Sequence, residues 1–363
     1  RTLALQTLYF LEMPAAELSP ALAALCGLLA SPLFVAERVR REVEVLDAEY
    51  QARCADAAQQ LLGAIAAQLP PGHPMSRFHA GARDTLPAHS PEFLAALRAW
   101  PARHYCGRNL RLLISGPQSL DALERCARES LGALPAGPAA GDGAWPALWP
   151  AEQRVVELAL LQPHSVRRMS LWWPLQLAPA GQGGVLALLR QAVQHTARGS
   201  LPGELRARGW AQRVAVELQP ADAGTTMLVL QLDLLDGGVG REREIAALCA
   251  DWLARFATDR RLQPDAPEWR ALCREQAWRE CEMAPLERAA LWVERWQAPG
   301  DWQPWPWHAA APAALAAAAA PADPQQLIVQ YARAELAQSE ITPWFPVRWQ
   351  ARRHAALPAP AEV

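Results

Sequence analysis

The sequence predicts an α+β fold in two similar domains, each an antiparallel β-sheet packed with α-helices. Three observations predict it. At 363 residues the chain exceeds what one hydrophobic core usually organises. About half of its residues are hydrophobic and a fifth are charged, the balance of a globular chain rather than a disordered or fibrous one. Hairpin and helix signals recur on both sides of one Gly/Pro-rich stretch, and each side ends on a helix followed by a strand.

The elements follow in chain order. Residues 1–13, RTLALQTLYFLEM, alternate like a strand and begin inside it at Arg1, with no initiator Met and no polar lead-in, which predicts a fragment of a longer protein. The apolar run LSPALAALCGLLASPLFVA at 18–36 is bracketed by Pro20 and Pro32 and dominated by Ala. It suits a core helix of about three turns better than a membrane span of about 20 residues. A second helix is expected from about Pro32 through Leu69. A Pro/Gly-rich structured loop follows at 70–87, then a helix at 91–105 and a buried-type strand at 109–116. Ser119 caps a helix at 120–132.

The stretch at 136–150 reads as a linker, separating a first domain at 1–135 from a second at 151–345, with 346–363 as a further linker or tail. In the second domain strands are expected at 167–175 and 326–332, and helices at about 183–197, 239–259 and 266–295. The segments 214–219 and 225–235, joined by a short polar turn, predict an antiparallel hairpin. The cluster Trp302, Trp305 and Trp307 sits in a Pro-rich loop.

Charge and cysteine usage exclude several classes. The formal net charge is -2 and no block of like charges occurs, which argues against a nucleic-acid partner. All 35 basic residues are Arg, a bias that fits a GC-rich coding sequence. The seven Cys show no C-x-x-C spacing, as expected of reduced thiols in a cytoplasmic protein rather than a disulfide framework or a Cys-based metal site. Nothing at the start resembles a signal peptide.

The segment AERVRREVEVLDAEYQAR at 36–53 carries the most chemistry. Seven helical steps of about 100° fall about 20° short of two turns, so Glu42 and Glu49 share one face. Val39, Val43, Leu46 and Tyr50 form the adjoining apolar stripe. Two readings of the acids stand at this point. With Arg38, Arg41 and Arg53 nearby they suit a solvated face with i,i+4 ion pairs. At the edge of a buried surface they also suit an oxygen ligand for a metal and a second acid to support it.

Four stretches carry a resemblance. Arg41, Glu42, Leu46 and Glu49 follow the register R-E-x-x-x-V-x-x-E, with Leu in place of Val. PPGHPMSRFHAGARDTL supplies His73, Pro74, Phe78, Gly81, Thr85 and Leu86 in the pattern HP-x-x-x-F-x-x-G-x-x-x-TL. NLRLLISGPQSLDALE gives a strand, a Gly turn and a helix. GSLPGELRARGWA begins Gly199, Ser200, Leu201 and ends Gly209, Trp210. Together these resemble the insulinase/pitrilysin family of zinc metallopeptidases, over most of residues 1–300. FHAGARDTLP is closest to the branch that acts in coenzyme PQQ (pyrroloquinoline quinone) biosynthesis.

The resemblance implies zinc as cofactor, Glu49 as its third ligand and Glu42 as the supporting acid. It places two His ligands and the general-base Glu in a His-x-x-Glu-His motif upstream of Arg1, and so no catalytic residue within the chain itself. Neither that motif nor its inverse occurs among the eight His, so the chain by itself is expected to bind zinc weakly or not at all and to be inactive. The substrate would be a small peptide added as a strand to a sheet edge, with Thr2 and Leu3 a remnant of that edge. His195 and the strand Val214, Ala215, Val216 would lie where the peptide's amino terminus is held, although His195 also reads as a surface residue at a helix end. The implied partner is the carboxy-terminal half of the protein or a homologous subunit, with no nucleic acid and no membrane. The competing reading is a non-catalytic partner subunit of the same fold.

Overall fold

The computed structural model describes residues 2, 6–132, 134–137, 145–150, 153–163, 165–177, 179–222, 224–256, 258, 267–296, 316–342 and 344–359. Its helices are α1 (Leu18–Ala30), α2 (Ala36–Cys54), α3 (Ala57–Ala66), α4 (Pro91–His104), α5 (Leu120–Leu131), α6 (Pro179–Gln194), α7 (Leu201–Ala207), α8 (Glu242–Phe256), α9 (Pro267–Glu282) and α10 (Pro285–Arg295). Its strands are β1 (Val155–Leu161), β2 (Arg168–Leu175), β3 (Ala211–Pro220), β4 (Thr226–Leu234), β5 (Ile328–Arg333), β6 (Glu340–Ile341) and β7 (Arg348–His354). The fold is α+β, as the sequence predicts. The chain forms two compact units: one of residues 1–56, 78–144 and 283–294, the other of 57–77, 145–282 and 295–363.

The first unit holds α1, α2, α4, α5 and all but the last residue of α10. Serines start two of these helices: the Ser90 hydroxyl accepts from the Phe93 N–H with Pro91 behind it, and the Ser119 hydroxyl accepts from the Ala122 N–H. A small core joins α1 to α5 through Leu22, Cys26 and Cys126, with Leu112 and Ile114 packed against it. The strands expected at 1–13 and 109–116 do not form ladders among the described residues; the first contains only an isolated bridge between Thr2 and Thr7. Arg1, where that strand was expected to begin, lies outside the described residues. Leu112 and Ile114 of the second segment do pack on the core, but a strand also needs a neighbour's backbone, and none is there among the described residues. The single helix expected from Pro32 to Leu69 breaks after Cys54, where the Asp56 N–H closes back on the Arg53 carbonyl at 2.9 Å.

The second unit is one seven-stranded sheet in the order β3-β4-β2-β5-β1-β7-β6. All neighbours are antiparallel except β1 and β5, which run parallel. One face carries α6, α7 and α8, whose Leu189, Leu205 and Ile245 are fully buried against Leu171, Trp173 and Leu230 of the strands. The other face packs Ala64, Ile65 and Leu69 onto Val156, Leu158, Trp172 and Ile328. A buried polar relay anchors this second layer. Trp172 Nε1–H donates to Ser170 Oγ, which donates to Gln330 Oε1, while Gln330 Nε2–H donates to the Leu61 carbonyl at 2.9 Å. Both side-chain ends of a fully buried Gln are thereby satisfied.

The hairpin expected at 214–235 is β3 and β4, extended by a few residues. Several boundaries differ from the sequence reading. Residues 57–77, placed with the first domain by the linker position, group with the second unit, because the apolar face of α3 lies on its sheet. The linker's last residues Leu148 and Trp149 are buried in the same layer; 138–144 and the three Trp at 302–307 lie outside the described residues. The segment expected as a tail supplies β7, paired along β1 from Trp349 to His354. Pro285 begins α10 and divides the helix expected at 266–295, since Pro lacks the N–H that a continuous helix requires. No helix among the described residues is long and apolar enough to cross a membrane.

Candidate functional site

In α2 the predicted stripe is present: Val43 is buried, and Val39, Leu46 and Tyr50 are half-buried. Glu42 and Glu49 share the neighbouring face, and both are exposed. Arg53 Nη2 reaches Glu49 Oε2 at 3.3 Å, an i,i+4 pair on the open surface. Loop 78–86 returns across the helix. The Phe78 ring meets the Tyr50 ring edge-on, with centroids 5.6 Å apart. Thr85 Oγ1 accepts from the Ala82 N–H and donates to the Ala82 carbonyl, closing the loop on itself. Gly81 lies at a close approach: a Cβ there would sit 2.5 Å from Leu86 Cδ1 and 3.5 Å from Leu46 Cδ1.

His73, at the head of the same motif, serves the second unit. Its fully buried ring accepts the Met75 N–H at Nδ1 (3.1 Å), which leaves Nε2–H to face Asp222 Oδ2 at 3.4 Å. Burial pushes the imidazole below its ordinary range, against a smaller opposing pull from Asp222.

The other expected positions fall as follows. Thr2 is exposed and, among the described residues, makes an isolated bridge to Thr7 and joins no ladder. Leu3 lies outside the described residues, and so does Arg1, the position before which the general-base Glu was expected. His195 is exposed just past the end of α6, its N–H bonded to the Ala192 carbonyl. Val214, Ala215 and Val216 lie on β3, an edge strand of the sheet, paired on one side with Leu232, Gln231 and Leu230 of β4. Val214 and Val216 are buried in the core. Among the described residues the far edge of β3 carries no partner strand, so its outward N–H and C=O groups can receive an extended peptide. Glu42 and Glu49 belong to the first unit, and His195 and β3 to the second.

Zinc takes four ligands in a protein site. Among the described residues no three His, Cys, Asp or Glu side chains gather into a group that could hold a metal. Glu49 is already paired with Arg53, and the acid that shares its face is Glu42. This donor set does not fit a zinc site by itself, and no step of catalysis follows through a metal held by this chain alone.

One polar constellation has no counterpart in the sequence reading. Glu157 of β1 accepts from the Tyr331 hydroxyl at 2.5 Å and lies 2.6 Å from His354 Nε2. Arg243 Nη1 lies 3.2 Å from His354 Nδ1; a guanidinium can only donate, so Nδ1 accepts and Nε2–H donates to Glu157. Arg333 makes a two-bond fork to Glu242 at 2.7 and 2.8 Å. These groups line a cavity of about 390 Å³ on the face that carries α8. Burial raises the Glu157 pKa, but the Tyr331 and His354 hydrogen bonds outweigh it and hold the carboxyl below the usual range; the same burial and bond push the Tyr331 phenol up. Its parts are spread from 157 to 354, and no local pattern marks them.

Comparison with known proteins decides the family. Residues 93–265 match the profile described as "Peptidase M16 inactive domain". Coenzyme PQQ synthesis protein F of Pseudomonas aeruginosa is 36% identical over 258 residues, 71% of this chain and 33% of that protein. The chain belongs to the M16 peptidase family. Its similarity to the same-named protein of Pseudomonas putida is 34% over 244 residues, 67% of this chain and 30% of that protein. Human nardilysin is 30% identical over 196 residues, 50% of this chain and 16% of nardilysin. Among solved structures, pitrilysin superposes with a TM-score of 0.73 at 16% identity, over 96% of this chain and 40% of that one. The first half of the periplasmic protease PqqL from Escherichia coli gives 0.60 at 15%, over 89% and 71%. At these identities the structures show the fold alone. The chain spans about a third of the length of the PQQ synthesis proteins it matches.

Proposed function

We propose that this chain is part of a cytoplasmic zinc endopeptidase that cleaves a small peptide in PQQ biosynthesis. The observation that carries the reading is the 36% identity to a coenzyme PQQ synthesis protein over 71% of the chain. Glu49, supported by Glu42, would contribute one carboxylate to zinc, with the remaining ligands outside this chain. When bound, zinc would supply the positive charge that polarises a scissile carbonyl. The chain's own part is binding. The open edge of β3 at Val214, Ala215 and Val216 would take the peptide by strand addition, with His195 in the same unit to hold its amino terminus. The partner would be the rest of the same protein or a homologous subunit, since the match covers about a third of the relatives.

A second reading, a non-catalytic partner subunit, is favoured by the description of the matching profile as an inactive domain and by the lack of a metal-holding group among the described residues. One experiment separates the two. The intact protein and its Glu49→Gln variant are assayed for zinc stoichiometry and for cleavage of the precursor peptide. Loss of both in the variant supports the peptidase; a wild type that holds no zinc and cleaves nothing leaves only the subunit.

A further inference from the structure

The two flanks of α2 are treated differently by the rest of its unit. At about 100° per residue the apolar stripe of Val39, Val43, Leu46 and Tyr50 divides the helix, with Glu42 and Glu49 on one side and Glu44 and Asp47 on the other. Loop 78–86 grips the second side. The Arg83 N–H donates to Asp47 Oδ1 at 2.9 Å. The Arg83 guanidinium forks onto Glu44, with Nε donating to Oε1 at 3.2 Å and Nη2 to Oε2. These bonds span 36 and 39 residues of chain, so they fix one element against another.

The ion pairs within α2 do not have that power. Glu37–Arg41 and Glu49–Arg53 are i,i+4 pairs within α2 and turn with it. The helix has no side-chain cap at its start, and Val43 is its one buried residue. A planar fork on Glu44, a backbone tie to Asp47 and the Phe78–Tyr50 contact therefore join loop 78–86 to this side of α2.

We propose that Arg83 is a positioning residue: by holding Glu44 and Asp47 it sets the rotation of α2, and with it the direction in which Glu42 and Glu49 face. This deepens the peptidase reading and rests on it. Arg83 and Glu44 are both more than half exposed, so their pairing adds little to stability. Its effect lies in geometry, where a displacement of about 1 Å at a reacting centre can lower a rate by about 100-fold.

The test uses the intact protein and compares wild type, Arg83→Ala, Arg83→Lys, Glu49→Gln and the exchange Arg83→Glu with Glu44→Arg. For peptide cleavage, Arg83→Ala should lower kcat at least about tenfold with KM within about twofold and the melting temperature nearly unchanged. Lys carries the charge without the fork and should restore little, whereas the exchanged pair rebuilds the fork but sets its new carboxylate against Asp47 and should recover part of the loss. In hydrogen exchange on the same variants, amides of residues 44–50 should exchange faster in Arg83→Ala and return toward wild type in the exchanged pair. A wild-type kcat in Arg83→Ala, or a loss matched by an equal loss of folded protein, overturns the proposal. If Glu49→Gln is inactive while Arg83→Ala is not, the positioning role alone fails. If wild type cleaves nothing, the peptidase reading fails and takes this role with it.

Discussion

His73 Nε2 faces Asp222 Oδ2 at 3.4 Å with the imidazole fully buried, so one ring ties the loop before residue 78 to the turn between β3 and β4. Asp222 is itself committed to that turn, accepting the Gly224 and Thr225 N–H groups at 2.8 Å through Oδ1. The same ring accepts the Met75 N–H at Nδ1, a bond that only the neutral ring can accept. Burial is the larger influence and lowers the His73 pKa. The folded state therefore resists a proton that the unfolded chain takes up. Stability from His73 should be complete above the ordinary His pKa of about 6.5 and should fall as pH drops below it. Urea unfolding of wild type from pH 8 to pH 5.5 should show this decline. His73→Asn, whose side-chain oxygen can still accept the Met75 N–H, should flatten it. His73→Ala should cost about 2–4 kcal/mol at pH 7.5, from a cavity plus an unpaired donor. An unchanged pH slope in His73→Asn would count against the mechanism.

Tyr331→Phe removes the hydroxyl that donates to Glu157 and nothing else of comparable size. Glu157 is held below the usual carboxylate range, so its contribution is present above the unfolded pKa and lost as pH falls through the folded one. The variant should therefore be destabilised by about 1–3 kcal/mol at pH 7, and by less at a pH low enough to protonate Glu157. Paired denaturation curves at the two pH values check the difference. Equal losses at both would show that packing, not the hydrogen bond, carries the effect.

These two sites differ in how far the sequence could reveal them. The α2 stripe and the β3–β4 hairpin were legible because their information is local: a period of 3.6 in one, and two apolar runs across a polar turn in the other. His73 was legible as part of a motif but not in its role, since its partner Asp222 is 149 residues away. The cavity around Glu157 was not legible, because it is assembled by β1, β5, β7 and α8 only once the sheet order is known. Strand β7 reads RWQARRH, and its Arg and His hide a strand that buries Trp349 on one face. Glu49 was placed correctly on its helix face, but a metal site is a meeting of several chain segments, and periodicity reports only one of them.

Arg333 and Glu242 test the same cavity from its charged side. Glu242 is nearly fully buried, Arg333 is about 29% exposed, and both bonds of their fork are under 3 Å. Replacing both partners with apolar residues of similar size can be nearly neutral, but removing one strands the other. Glu242→Ala should cost about 3–5 kcal/mol and release the Gly240 N–H that it also accepts. Glu242→Met with Arg333→Met should cost clearly less than Glu242→Ala alone. A double-mutant cycle read by chemical denaturation settles the point, and additive losses would contradict it.

Two glycines separate an obstacle that can yield from one that cannot. At Gly81 an added Cβ would press on Leu86 Cδ1, the end of a flexible, half-buried side chain. At Gly238 it would run into the Trp210 carbonyl. That carbonyl is fixed by the Leu235 N–H at 2.9 Å, and the Gly238 N–H is in turn bonded to the Leu235 carbonyl at 2.9 Å. Neither backbone can retreat without breaking the turn that leads from β4 into α8. Gly81→Ala should therefore cost about 1 kcal/mol, the scale of a repacked side chain. Gly238→Ala should cost about 3 kcal/mol or more, because it displaces hydrogen-bonded backbone. Melting temperatures of the two variants should differ in that order, and a reversed order would mean that the turn after β4 is softer than its hydrogen bonds imply.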